Sequence, residues 1–174
     1  MATPKRHGSY AGTYFVTSRT WESRRLFVTE PMRKLFIDTL LRYRQDGAFT
    51  LHAFVLMPDH FHILLTPSQE TTLERAVQLI KGGSARRIGI ERQLRFPVWQ
   101  RGFSDHRIRS AADYDSHLVY IAQNPVCKKL VVNPSEYLWS SASGKYALDP
   151  LPQGLKPLKE NDVESSFGTA EAVP

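Results

Sequence analysis

"AFVLMPDHFHILLTP", Ala53 to Pro67, decides how this chain reads. With Phe49 just upstream, its left half is an apolar strand pattern; Met57-Pro58-Asp59 breaks it, and His60 to Thr66 resumes it. A break this short between two strand patterns implies a hairpin. Side chains alternate between the faces of a strand, so His60 and His62 stand side by side while Phe61 points into the opposite core. Two imidazoles on one face can hold one metal ion, and Leu64 continues that face in apolar fashion. The competing reading is a pair of hydrogen-bonded structural histidines. A catalytic metal site would also need a third protein ligand and open positions.

Working outward, "YAGTYFVTSRT" from Tyr10 to Thr20 is aromatic and β-branched and predicts a first strand. Met32, Leu35, Phe36, Leu40 and Tyr43 recur at helical spacing, with Pro31 in the first turn and Gly47 closing the segment. Downstream, Leu73, Val77, Ile80 and Ser84 predict a second helix beginning after Thr71 or Thr72. Phe103 to Arg109 reads as a fourth strand, and Asp113 as the cap of a third helix carrying Tyr114 to Asn124. Pro125 disfavours α geometry at Asn124, so that helix is expected to end at or before it.

The order strand, helix, strand, strand, helix, strand, helix predicts an α+β fold: a ferredoxin-like or RRM-like split βαβ with one added helix. Its antiparallel sheet would carry helices on one face and leave the other available for a ligand. Residues 1–149 form one domain in this reading. Residues 150–174, rich in Pro, Gly and charge, read as a flexible C-terminal tail.

At 174 residues with 41% hydrophobic content, the chain suits one domain with a proper core. Lys+Arg of 23 against Asp+Glu of 17 gives +6, a balance that favours polyanionic partners such as nucleic acid. Cys127 alone excludes an internal disulfide or a cysteine zinc cluster. MATPKRHGSY has no apolar signal region, and no apolar stretch approaches the ~18 residues of a membrane span. A reduced, cytoplasmic protein is therefore expected. The most lopsided segment, Arg75 to Arg109, holds nine basic residues against Glu91 and Asp105. Phe96, Trp99 and Phe103 interleave with it and could stack on unpaired bases, unless they are core.

A second constellation lies in "DYDSHLVYIAQNPVCKKLV", Asp113 to Val131. At ~100° per residue, Tyr114, Leu118, Ile121 and Ala122 make an apolar stripe, and His117, Tyr120 and Asn124 share a neighbouring arc of roughly 60°. An imidazole, a phenol and an amide on one arc can be an auxiliary group, a nucleophile and a ligand. A half-buried tyrosine with solvated neighbours is the plain alternative.

Taken together, the two motifs resemble those of the HUH single-tyrosine transposases, and within them the REP-associated tyrosine transposases. "MPDHFHILL" is similar to the family's histidine–hydrophobic–histidine strand, and "YIAQNPVCKKLV" to its tyrosine segment. "GTYFVTSRTW", "VWQRGFSDHRIR" and "PSEYLWSSA" match in order, so the resemblance spans roughly residues 10 to 146. It implies His60 and His62 as metal ligands, Asn124 as the third, Tyr120 as nucleophile and His117 as a possible auxiliary group. Cys127, Lys128 and Lys129 depart from the commoner Arg-Ala-Gly at those positions. Imidazole ligands alone would suggest zinc or another transition metal; the resemblance implies Mg2+ or Mn2+. It also implies single-stranded DNA with hairpin (REP-like) elements as partner, a monomer with a dimer as the alternative, and a nucleoid-associated location in the cytoplasm. Arg86, Arg87, Arg92, Arg95, Arg101, Trp99, Lys128 and Lys129 are the expected DNA contacts. Two alternatives stay open: a non-catalytic RRM-like nucleic-acid-binding module, and a metal-dependent hydrolase without a covalent intermediate.

Overall fold

Alternation along the first strand builds the domain. In β1 (Tyr14–Arg19), Tyr14, Val16 and Ser18 face one way and Phe15, Thr17 and Arg19 the other. The structure is a computed structural model that describes residues 12–93 and 97–150. After β1 come α1 (Glu30–Gln45), β2 (Phe49–Leu56), β3 (His60–Pro67), α2 (Leu73–Arg92), β4 (Ser104–Arg107) and α3 (Ala111–Cys127). The strands form one antiparallel sheet in the order β2-β3-β1-β4. This is the α+β split βαβ expected from the sequence, with α3 as the addition.

The two faces of the sheet are covered differently. Phe61, Ile63 and Leu65 of β3 join Tyr14 and Val16 of β1 in a core with Phe36 and Leu40 of α1 and Val77 and Ile80 of α2. Fully burying a side chain such as Phe61 is worth roughly 1.5–3 kcal/mol. Where α1 and α2 meet, Gly83 leaves room for Tyr43: a Cβ there would lie 2.6 Å from its ring. On the other face Val55, Met57 and Leu64 pack with Tyr114 and Ile121 of α3. A bulge between Leu51 and Ala53 interrupts the alternation of β2, because the extra residue resets which side chains face which way. Leu51, Phe54 and Leu56 go to the α1/α2 side, Ala53 and Val55 to the α3 side.

Several boundaries differ from the sequence reading. The fourth strand is only Ser104–Arg107. Ser110, not Asp113, caps α3: its side chain accepts from the Asp113 N–H, which places Asp113 inside the first turn. The helix does not end before Pro125 but runs through it to Cys127. Proline costs the bond that its own N–H would have made, while the carbonyl of Asn124 still accepts from Lys128 N–H. Tyr10 and the tail from residue 151 onward lie outside the described residues, as do Arg95 and Phe96. At the end of the described chain, Asp149 takes two hydrogen bonds from Arg44 at 2.7 and 2.8 Å and one from Leu51 N–H.

Trp99 is corrected from DNA contact to core. It is 7% exposed, stacks on Phe27 at 5.2 Å, meets Phe61 edge-on at 5.1 Å, and donates its indole N–H to Ser84 Oγ at 3.0 Å. A ring packed on both sides with its donor satisfied has no face left for a base. Among the described residues, no helix is long and apolar enough to cross a membrane.

Candidate active site

The face of the sheet that the sequence reading left open is roofed by α3. His60 and His62 consequently retain 9% and 5% exposure. They border a cleft of about 380 Å³ together with Arg19, Asp59, Tyr120, Asn124 and Lys128. Register explains the gathering. Thr17 pairs with His62 and Arg19 with His60 across β1 and β3, and paired residues share a face. The helical arc of α3 supplies Tyr120 and Asn124 from above.

Each imidazole has one nitrogen held by the protein. His60 Nδ1 lies 2.6 Å from Asp59 Oδ1, and His62 Nδ1 lies 2.7 Å from Thr17 Oγ1. Nδ1–H donation in both cases leaves each Nε2 its lone pair, the arrangement by which outer partners orient metal-ligating histidines. Burial lowers the pKa of His60, although Asp59 opposes it. Burial pushes His62 further, to about 3, with His60 and Arg19 adding to the effect. Both rings are therefore neutral near pH 7, the form that binds metal.

Two polar atoms here have no protein partner: His62 Nε2 and Asn124 Oδ1, both inaccessible to solvent. A buried acceptor without a partner costs about 1–3 kcal/mol. Two nitrogen lone pairs and an amide oxygen on one cleft fit a divalent cation, which would satisfy the orphans. The ring of Tyr120 meets His62 edge-on at 5.1 Å and Phe15 at 5.7 Å, while 49% of the residue stays exposed. Arg19, Arg25 and Lys128 against Asp59 make the cleft cationic, which suits a phosphodiester.

The other candidate residues are more scattered. Lys129 follows Lys128 in an exposed left-handed conformation with φ of 57°. Arg101 shares a neighbouring groove with Arg19 at the β1–β4 edge. Arg86, Arg87 and Arg92 belong to α2, across the sheet from Tyr120; Arg87 donates to Thr39 at 3.2 Å and lies 3.8 Å from Asp38 on α1. His117, one turn before Tyr120, rests its ring 4.6 Å from Phe15 and places Nδ1 2.7 Å from the Asp113 carbonyl oxygen. Sequence reasoning missed Arg19, Arg25 and the supporting Thr17. Of these, Arg19 and Thr17 had a usable signal, since both share the parity of Phe15 on β1.

The family described as "Transposase IS200 like" matches residues 10–124, a span that takes in the histidine pair, Tyr120 and Asn124. The chain belongs to the IS200-like transposase family. Members of this family cleave DNA strands and transfer them. The chain is 27% identical over 155 residues to the REP-associated tyrosine transposase of Escherichia coli (strain K12), an alignment covering 86% of this chain and 90% of that one. It is also similar to a solved REP-associated tyrosine transposase bound to a REP hairpin, with a TM-score of 0.67 and 26% identity over 87% of this chain and 92% of that chain. Tyrosine transposase is thus the class of enzyme that the comparisons show for this chain.

Proposed function

We propose that this transposase cuts and rejoins single-stranded, hairpin-containing DNA through a 5′-phosphotyrosine on Tyr120, with a divalent ion held by His60, His62 and Asn124. The observation behind this reading is the meeting of Tyr120, two neutral imidazoles and a buried, unpartnered amide oxygen on one cationic cleft. The solved relative's hairpin partner supports the choice of substrate.

In the cutting step, Tyr120 Oη forms a bond to phosphorus and the bond from phosphorus to the 3′ oxygen breaks. The phenol proton leaves to solvent, to which the half-exposed side chain is open, and the departing 3′ oxygen becomes a hydroxyl. Attack by a 3′-hydroxyl on the phosphotyrosine reverses these bond changes and rejoins a strand without an external energy source. Bound at His60, His62 and Asn124, Mg2+ or Mn2+ would polarise the scissile phosphate and stabilise charge on it. Arg19 and Lys128 hold the flanking phosphates, Asp59 and Thr17 fix the imidazole rings, and Phe15 supports the tyrosine ring from below. Action as a monomer in the nucleoid-associated cytoplasm belongs to the same proposal.

Labelled single-stranded hairpin DNA incubated with Mn2+ provides the test. Wild-type protein should yield a covalent adduct that maps to the Tyr120 peptide, and Tyr120→Phe should bind metal and DNA without cutting. Nicking that persists in Tyr120→Phe would hand the chemistry to water, and an adduct on another tyrosine would displace Tyr120.

A further inference from the structure

A second group of ligating side chains stands at the far end of α3. His106 of β4, Asp113 in the first turn of α3 and His117 one turn further bring one ligand atom each to within 4.8 Å of one another. His106 Nε2 lies 3.0 Å and His117 Nδ1 3.1 Å from the same oxygen, Asp113 Oδ1. The two imidazole rings stack at 4.9 Å with 16° between their planes. Local structure explains the convergence. Asp113 and His117 are four residues apart on one helix, and His106 pairs with Phe15, whose ring touches His117.

Nitrogen and oxygen ligands on a shared tetrahedral ion, each ~2.0–2.2 Å from it, sit about 3.4 Å from one another. Two separations here are already near that value. The third, within 4.8 Å, closes by a rotation of the His106 ring, whose side chain is 47% exposed. We propose that His106, Asp113 and His117 form a second metal site, distinct from His60 and His62, that takes a transition ion of the zinc and cobalt class. Two imidazoles with one carboxylate make a nitrogen-rich set that suits such ions. The ion replaces the hydrogen bonds that now tie both rings to Asp113, including the 2.7 Å contact of His117 Nδ1 with the Asp113 carbonyl.

Such an ion would fasten the start of the tyrosine helix to the edge strand. Phe15 touches His117, Tyr120 and His62 with ring separations of 4.6, 5.7 and 5.3 Å, so fixing His117 restrains the support under Tyr120. These three ligands act as positioning residues. The proposal stands whether or not Tyr120 cleaves DNA.

The full chain carrying His60→Ala and His62→Ala lacks the cleft site and isolates the second one. Titrated with Co2+, it should bind one equivalent and develop visible ligand-field bands, and Zn2+ should displace the cobalt. Adding His106→Gln and His117→Gln should abolish the bands and weaken binding by more than the roughly 10–100-fold that loss of an outer partner costs. A double variant that binds no Co2+, or a quadruple variant that binds it unchanged, would overturn the site. Should circular dichroism show the multiple variants unfolded, His106→Gln alone in the otherwise native chain decides: stoichiometry should fall from two equivalents to one, and an unchanged count refutes the proposal.

Discussion

Asn124→Leu should stabilise the metal-free protein while it disables the site. Asn124 is 7% exposed and its Oδ1 has neither solvent nor a hydrogen-bond partner. An unsatisfied buried acceptor costs about 1–3 kcal/mol, and an apolar side chain of nearly the same shape removes that cost. Leucine also has the better helix propensity, by a few tenths of a kcal/mol. In EDTA the variant should therefore unfold about 1–3 kcal/mol later, or about 2–4 °C higher in Tm per kcal/mol for a chain of this size. Urea unfolding followed by circular dichroism measures it. The same change deletes one of the three proposed ligands, so Mn2+ affinity by calorimetry should drop at least tenfold. Asn124→Asp should act in reverse, binding Mn2+ more tightly because of its charge and unfolding earlier in EDTA because that charge is buried. A metal-free Asn124→Leu protein less stable than wild type, with Mn2+ affinity unchanged, would refute the idea that this amide is held unsatisfied for a cation.

Metal-free protein should lose stability in acid. His62 is depressed from 6.5 to about 3, so unfolded chains take up its proton first. Stability is constant for this group above about pH 6.5 and falls as pH drops toward about 3, by on the order of 4–5 kcal/mol at ~1.4 kcal/mol per tenfold, and a urea midpoint flat from pH 7 to 4 would contradict it. For DNA binding, neutralising Arg19, Arg25 and Lys128 should flatten the log–log salt slope by roughly 0.7 for each single-strand phosphate that is no longer neutralised. Neutralising Arg86, Arg87 and Arg92 across the sheet should change it little, and the opposite ranking in anisotropy titrations would move the DNA to α2. Asp149→Ala should cost about 1.5–3 kcal/mol, because it strips Arg44 of a two-bond carboxylate and leaves Leu51 N–H without its acceptor. Equal urea midpoints for Asp149→Ala and wild type would show that this clamp contributes nothing.

Local pattern determined a great deal by itself. Period-two alternation with a short turn made Met57-Pro58-Asp59 a hairpin and put His60 and His62 on one face, and helical spacing gave α1, α2 and the arc shared by His117, Tyr120 and Asn124. These are consequences of backbone geometry within a few residues, so the sequence holds them. Position across the sheet was decided only by tertiary packing. Arg19 reached the cleft through strand register, and the α2 arginines, promising as a linear run, went to the other side because α2 packs with α1. Trp99 looked like a stacking platform until Phe27, Phe61 and Ser84 enclosed it. The bulge at Leu51/Ala53 that puts Leu51 on the side of Phe54 and Leu56 has no local signature, and Pro125 did not stop α3 because the packing of Ile121 and Tyr114 holds the helix on the sheet. Burial of the histidine pair followed from that same docking: a sequence can place two imidazoles side by side, but only the helix lying over them shields them from water.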